Sequence, residues 1–288
     1  MTNFDLKTFS DAIARLVADA APSVVSVHSH RSRASGFIWR AGLIVTADET
    51  LADEGEISVG FADGATLPAT LAGRDHTTDV ALLRVNDTAR QPASLSTSTV
   101  APGSFAVSVG RDQDHPVVSS GVVAVAAGAW RSMRGGDIDA RIELDLRLRG
   151  AAEGGLALDA SGTAIGMAVR GPRQTLVIPA ATIDRVAAKL ATDGRIARGY
   201  LGLALQPVRV GEGVGAMVMG VEAGGPGATA GVQQGDIIVA WDGKPIEGVR
   251  HLIRRLGPDS VGTIAELSIL RAGSPSTVRL TIGERPAA

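Results

Sequence analysis

The chain has 288 residues, room for two or three compact units. Hydrophobic residues make up 45% but aromatic ones only 3%, so any core is mostly Val, Ile, Leu and Ala. Charged residues at 20%, a formal net charge of −2 and no Lys/Arg-rich run give no electrostatic reason to expect nucleic acid or an anionic membrane as partner, and the absence of cysteine excludes disulfides, thiolate metal sites and a cysteine nucleophile.

Residues 4–20 place Phe4, Phe9, Ile13, Leu16 and Val17 near helical spacing, which predicts a helix that stops at Pro22. The segment has no basic start followed by an apolar core, so it is not a secretory signal, and no run approaches the ~18 apolar residues of a membrane span. As it stands the sequence predicts a soluble, cytoplasmic protein, periplasmic if a leader has been removed.

Short strands follow. "SVVSVHSH" alternates, and "SGFIWRAGLIVTA" reads as two strands around Ala41-Gly42. "EISVGFADGATLPATLAGRD" is a hairpin with Asp63-Gly64 at its turn, and "DVALLRV" is a buried strand. "FAVSVG", "SSGVVAVAAGAW", "ARIELDLRL", "GLALDASGTAIGMAV" and "TLVIPA" continue the pattern. So many β segments over about 170 residues predict two packed barrels. "AATIDRVAAKLATDG" breaks the pattern, with Ile183, Val186, Ala187 and Leu190 at helical spacing and Gly194 as an end signal. From Tyr200 onward a separate unit carries its own strands and the helix "EGVRHLIRRLG".

In "RGAAEGGLALDASG" an acid, Glu153, precedes two glycines, where an exposed turn displays a side chain. "SGFIWRAGLIVTADETL", "TTDVALLRV", "SSGVVAVAAG" and the Glu153 stretch resemble the protease domain of the HtrA/Deg family of trypsin-like serine proteases, and "GYLGLALQPV" with "GVQQGDIIVAWDGKPI" resembles the PDZ domain that follows it. The similarity spans roughly residues 10–286. It implies a mainly β chain: two packed six-stranded antiparallel barrels, then a small α+β PDZ domain. The domains would be an N-terminal helix over 1–22, the double barrel over 23–190, a linker over 191–199 and the PDZ domain over 200–288. It also implies a homotrimer built through N-terminal aromatics such as Phe4 and Phe9.

Laid on the family's motifs, the histidine position falls on Glu49, the nucleophile position on Glu153 and an oxyanion-hole glycine on Ala151; only the acid survives, as Asp79. A carboxylate cannot be activated by deprotonation, and losing a serine nucleophile alone costs about 10⁶ in turnover. The expectation is therefore a chain that is not an enzyme: a pseudoprotease serving as a scaffold or regulatory subunit, with no cofactor. Two alternatives stand beside it. Glu49, Asp79 and Glu153 could hold a divalent cation or support carboxylate chemistry, unless they face water or pair with an arginine such as Arg74 or Arg149. His76, three residues before Asp79, could serve a relocated serine in a residual endopeptidase. "HSH" at His28 and His30 would put two imidazoles on one strand face, most simply in solvent.

The PDZ resemblance implies a protein or peptide ligand. Tyr200, Leu201 and Gly202 would form the carboxylate loop, Leu203 to Leu205 the pairing strand, and Val249, Ile253 and Leu256 the groove-facing side of the helix. A small apolar pocket implies an apolar C-terminal residue on that ligand.

Overall fold

A computed structural model describes residues 5–30 and 32–286. The chain divides into two compact units, Met1–Ile196 and Ala197–Ala288.

The first unit begins with helix α1 (Leu6–Ala20), capped by Asp5, whose carboxylate accepts the N–H groups of Lys7 and Thr8. No residue of α1 is fully buried, but Ile13, Val17 and Ala20 rest on the core beside it. Phe9 meets Phe105 edge-on at 5.4 Å and stays partly exposed, and Phe4 lies outside the described residues.

Strands β1 (Val24–Ser29), β2 (Ser32–Arg40), β3 (Leu43–Ala47), β4 (Ile57–Gly60), β5 (Thr66–Asp75) and β6 (Val80–Val85) close into an antiparallel barrel in the order β1-β2-β3-β6-β5-β4. Strand β1 ends at Ser29 and His30 takes a positive φ of 53°, so His28 and His30 do not share a strand face. Strands β7 (Phe105–Asp112) and β8 (His115–Ala127) close a second barrel with Arg141–Asp145, Leu156–Asp159, Ala164–Arg170 and Thr175–Pro179. Helix α2 (Ala180–Asp193) ends at Gly194, which adopts a left-handed φ of 71°.

Each barrel has its own core, around Val25, Ile38 and Leu83 in the first and Leu144, Ile165 and Val177 in the second. A third cluster joins them. Phe37, Val45 and Leu82 from one barrel meet Val107, Leu156 and Met167 from the other, under Ile183, Val186 and Leu190 of α2. Arg111, 3% exposed, adds a polar tie: its guanidinium donates to the carbonyls of Val24, Ala21 and Asp114. A cleft lies between the two barrels, lined from both sides.

The second unit is a β-sheet in the order Leu203–Val210, Gly213–Val221, Ile237–Trp241, Ile264–Arg271, Ser274–Thr281, with a short helix at Val249–Arg254. Its core gathers Leu201, Val218, Ile238, Trp241, Leu252 and Leu267. Arg271 bridges to buried Asp236 with two bonds of 2.8 Å and holds that carboxyl below its ordinary range.

Candidate functional sites

Glu49, Asp79 and Glu153 all line one cleft of about 630 Å³, together with His76, Ser132, Arg134, Arg170 and an apolar floor of Trp130, Ile138, Val169 and Ile178. Three turns deliver them. Glu49 stands in the single 3₁₀ turn Asp48–Thr50 that ends β3. Asp79 sits between β5 and β6 at a left-handed φ of 58°, behind a turn in which Asp75 accepts the hydroxyls of Thr77 and Thr78. Glu153 follows the 3₁₀ turn Gly150–Ala152. Gly154 next to it has φ 86°, and a Cβ there would run into the Ser35 carbonyl oxygen, so glycine is required.

Two positioning residues carry no sequence signal of their own. Ser35 braces the Glu153 turn: its hydroxyl donates to the Ala151 carbonyl at 2.5 Å and accepts the Arg111 N–H at 2.8 Å, while its N–H donates to the Glu153 carbonyl at 2.8 Å. Asp48, 1% exposed, accepts Arg74 Nε and pairs with His76 Nδ1, both at 2.5 Å. An alternating apolar pattern does not distinguish a buried polar brace from a core position.

The three carboxylates share the cleft without converging on one point. Glu49 pairs with Arg134 at 2.8 Å. Glu153 accepts the backbone N–H of Arg170 at 3.1 Å and its guanidinium at 3.2 Å. The metal reading is corrected accordingly: among the described residues no group of three or more His, Asp or Glu side chains could hold a cation, because arginines draw two of the acids aside. Those arginines are Arg134 and Arg170, whereas Arg74 serves Asp48 and Asp53. Asp79 accepts the Glu49 N–H at 2.8 Å. Burial pushes its carboxyl up to about 7; the Glu49 N–H opposes this, and the charges of Glu49, Asp48 and Glu153 add to it.

The cleft's hydroxyls are committed elsewhere. Thr50 donates to the Ala47 carbonyl and Ser132 to that of Thr77, while Thr77 and Thr78 serve Asp75. None reaches His76, whose Nδ1 faces Asp48, so no serine–histidine pair forms among the described residues. Ser119, in β8, donates to the Arg147 carbonyl outside the cleft. Around Ala151, the Glu153 N–H donates to the Gly150 carbonyl at 3.3 Å.

In the second unit, Tyr200 pairs with Gly283 and Leu201 is 3% exposed, so the Leu201 side chain belongs to the core. Gly202 adopts φ 67°. Leu203, Leu205, Val249 and Leu256 lie half-buried against the core, and Ile253 is 56% exposed beside them. Strand Leu203–Val210 is a sheet edge. The Glu222 N–H donates to the Gly202 carbonyl, so by antiparallel alternation the N–H and C=O of Leu203 turn outward. The Val218 N–H donates to Asp236 on its far side, so its partner Leu205 turns outward too.

Comparison with known proteins agrees with this architecture. Residues 34–167 match the trypsin-like peptidase domain family and residues 199–282 the PDZ domain family. A probable periplasmic serine endoprotease DegP-like protein of Rhizobium meliloti is 31% identical over 276 residues, covering 89% of this chain and 54% of that protein. One of Pseudomonas fulva is 31% identical over 279 residues, covering 89% and 57%. The chain thus spans about half the length of these relatives. The serine endoprotease from Yersinia pestis superposes with a TM-score of 0.74 at 26% identity, covering 95% of this chain and 98% of that one. The HtrA-type protease AlgW has the same fold, with a TM-score of 0.74 at 22% identity over 96% and 99% of the two chains. These relatives overturn the expectation of a non-enzyme: proteins matched along nearly the whole chain are named serine endoproteases. Their name is also periplasmic, which gives no support to a cytoplasmic setting; among the described residues no helix is long and apolar enough to cross a membrane. With a trypsin-like double barrel followed by a PDZ domain, the chain belongs to the HtrA/Deg family.

Proposed function

We propose that this chain acts on polypeptides, taking a free C-terminal end into the PDZ groove and an extended segment into the cleft between the barrels. One observation carries the first half. Leu201 and Gly202 are both buried, and among the described residues their N–H groups donate to no protein acceptor. Buried backbone donors are almost always paired, and two of them around a left-handed glycine form a cradle for a carboxylate. The outward N–H and C=O of Leu203 and Leu205 then extend the sheet with the ligand's backbone. Pro207 has no N–H to offer, so pairing through backbone donors stops there and recognition is confined to the last few ligand residues. The relatives' name includes periplasmic, and we infer the same setting here.

A second reading concerns turnover, and the raised carboxyl of Asp79 favours it. Near neutrality Asp79 exchanges a proton beside Glu49, giving the cleft one carboxylic acid and one carboxylate to activate water against a bound peptide bond. Digestion of β-casein across neutral pH tests it. The expected outcome is cleavage that is lost in Asp79→Asn and untouched by a fluorophosphonate. Covalent labelling of a serine by that reagent, or no cleavage at all, would overturn the carboxylate reading and leave peptide binding to its own assay.

A further inference from the structure

Beside the Glu153 turn lies a second groove, of about 790 Å³, lined by Ser119, Ser120, Arg147, Arg149 and Arg170 among others. Arg170 lines the cleft as well, so the two adjoin at that side chain. The groove is strongly basic in a chain whose net charge is −2. Arg147 and Arg149 stand two residues apart on the segment that enters the Gly150–Ala152 turn, both exposed. Among the described residues neither has an acidic partner. Arg170 has one, Glu153, which its guanidinium meets at 3.2 Å while the Arg170 side chain stays 62% exposed.

The groove walls are built rather than draped. The Ser119 hydroxyl holds the Arg147 carbonyl at 2.8 Å, and the Thr175 hydroxyl holds that of Leu146 at 3.0 Å. At Gly121 any Cβ would collide with the Asp145 carbonyl, so β8 and the segment leading to Arg147 are in closest contact there. The Ser120 hydroxyl is exposed, with no protein partner among the described residues, and offers a donor on the same wall. Guanidinium groups bind carboxylates through paired N–H donors, and two unpartnered ones on one short segment match two nearby acidic side chains.

We propose that this groove binds an acidic segment of the polypeptide held in the cleft, with Arg147 and Arg149 as the residues that select for Glu and Asp. The proposal rests on the reading that the cleft holds polypeptide. Adjacency at Arg170 is what assigns the groove to the same polypeptide ligand. It also gives binding a local consequence, since an incoming carboxylate competes with Glu153 for Arg170.

The test compares two fluorescein-labelled peptides, Gly-Ser-Glu-Glu-Ala-Glu-Glu-Ser-Gly and its all-Gln counterpart. Both are amidated at the C-terminus so that a carboxylate loop cannot take them. Binding is followed by anisotropy on the full chain. Two exposed ion pairs should make the acidic peptide bind about three- to thirtyfold more tightly than the Gln peptide. That ratio should fall toward one in R147A/R149A at unchanged melting temperature, and with added salt. Equal binding of both peptides, or a preference that survives R147A/R149A, would overturn the inference while leaving the cleft reading intact. Binding of neither would overturn both. An RNA oligomer that outcompetes the acidic peptide through the same arginines would overturn the assignment to polypeptide.

Discussion

Asp79 offers the sharpest energetic prediction. Its carboxyl titrates near 3.8 in an unfolded chain and near 7 when folded, mainly because burial disfavours the charge. A folded pKa raised in this way adds stability that is complete below the unfolded value and is lost as pH rises through the folded one. Replacing it as Asp79→Asn removes that loss, and an amide oxygen can still accept the Glu49 N–H now bonded at 2.8 Å. Between about pH 5 and pH 6 the folded form holds nearly one proton more than the unfolded one, falling to about half a proton at pH 7, so the wild type loses up to about 1.4 kcal/mol per pH unit, roughly 2 kcal/mol over pH 5 to 7, relative to Asp79→Asn. Above the folded value the difference levels off. The assay is urea unfolding of both proteins across this range, followed by tryptophan fluorescence. A stability difference that does not change with pH, or a wild type that gains on Asp79→Asn as pH rises, would refute the reasoning.

Three further outcomes follow from the geometry. Gly154→Ala should lower stability by about 1–3 kcal/mol for the left-handed backbone alone and more through the collision with Ser35, read as a drop in melting temperature. Asp236→Asn should destabilise the PDZ unit at neutral pH. Because Arg271 depresses that carboxyl, the gap from wild type should close as pH falls below the ordinary carboxylate range, seen in melts at descending pH. Leu252→Asp, at a side chain with no exposure, should unfold the PDZ unit, whereas Ile253→Asp, at one 56% exposed, should leave its circular dichroism unchanged and abolish peptide binding.

The fold was legible because its signals are periodic and local. Alternation in β1, the Asp63-Gly64 turn and the helical spacing of Ile183, Val186 and Leu190 each locate an element without help from the rest. The gathering of Glu49, Asp79 and Glu153 came from motif order, and the shared cleft matches it. Side-chain partners were not legible. Arg134 and Arg170 reach the two glutamates from segments far away in sequence, while the nearer Arg74 is held by buried Asp48. Ser35 and Asp48 were missed for the same reason, since a polar brace declares itself only when its distant acceptors are in place. The inference from missing catalytic residue types to the absence of an enzyme failed against relatives named endoproteases. Residue types at matched positions constrain one mechanism and leave other chemistry of the same cleft untouched.

The claim that this protein takes the end of a polypeptide is tested most directly by calorimetry. Short peptides ending in Ala, Val, Leu or Phe are titrated into the full chain, each as the free acid and as the C-terminal amide. The account predicts that at least one free acid binds, that its amide binds at least about tenfold more weakly, and that Ile253→Asp removes the interaction. Equal affinity for acid and amide, or binding indifferent to Ile253→Asp, would contradict it.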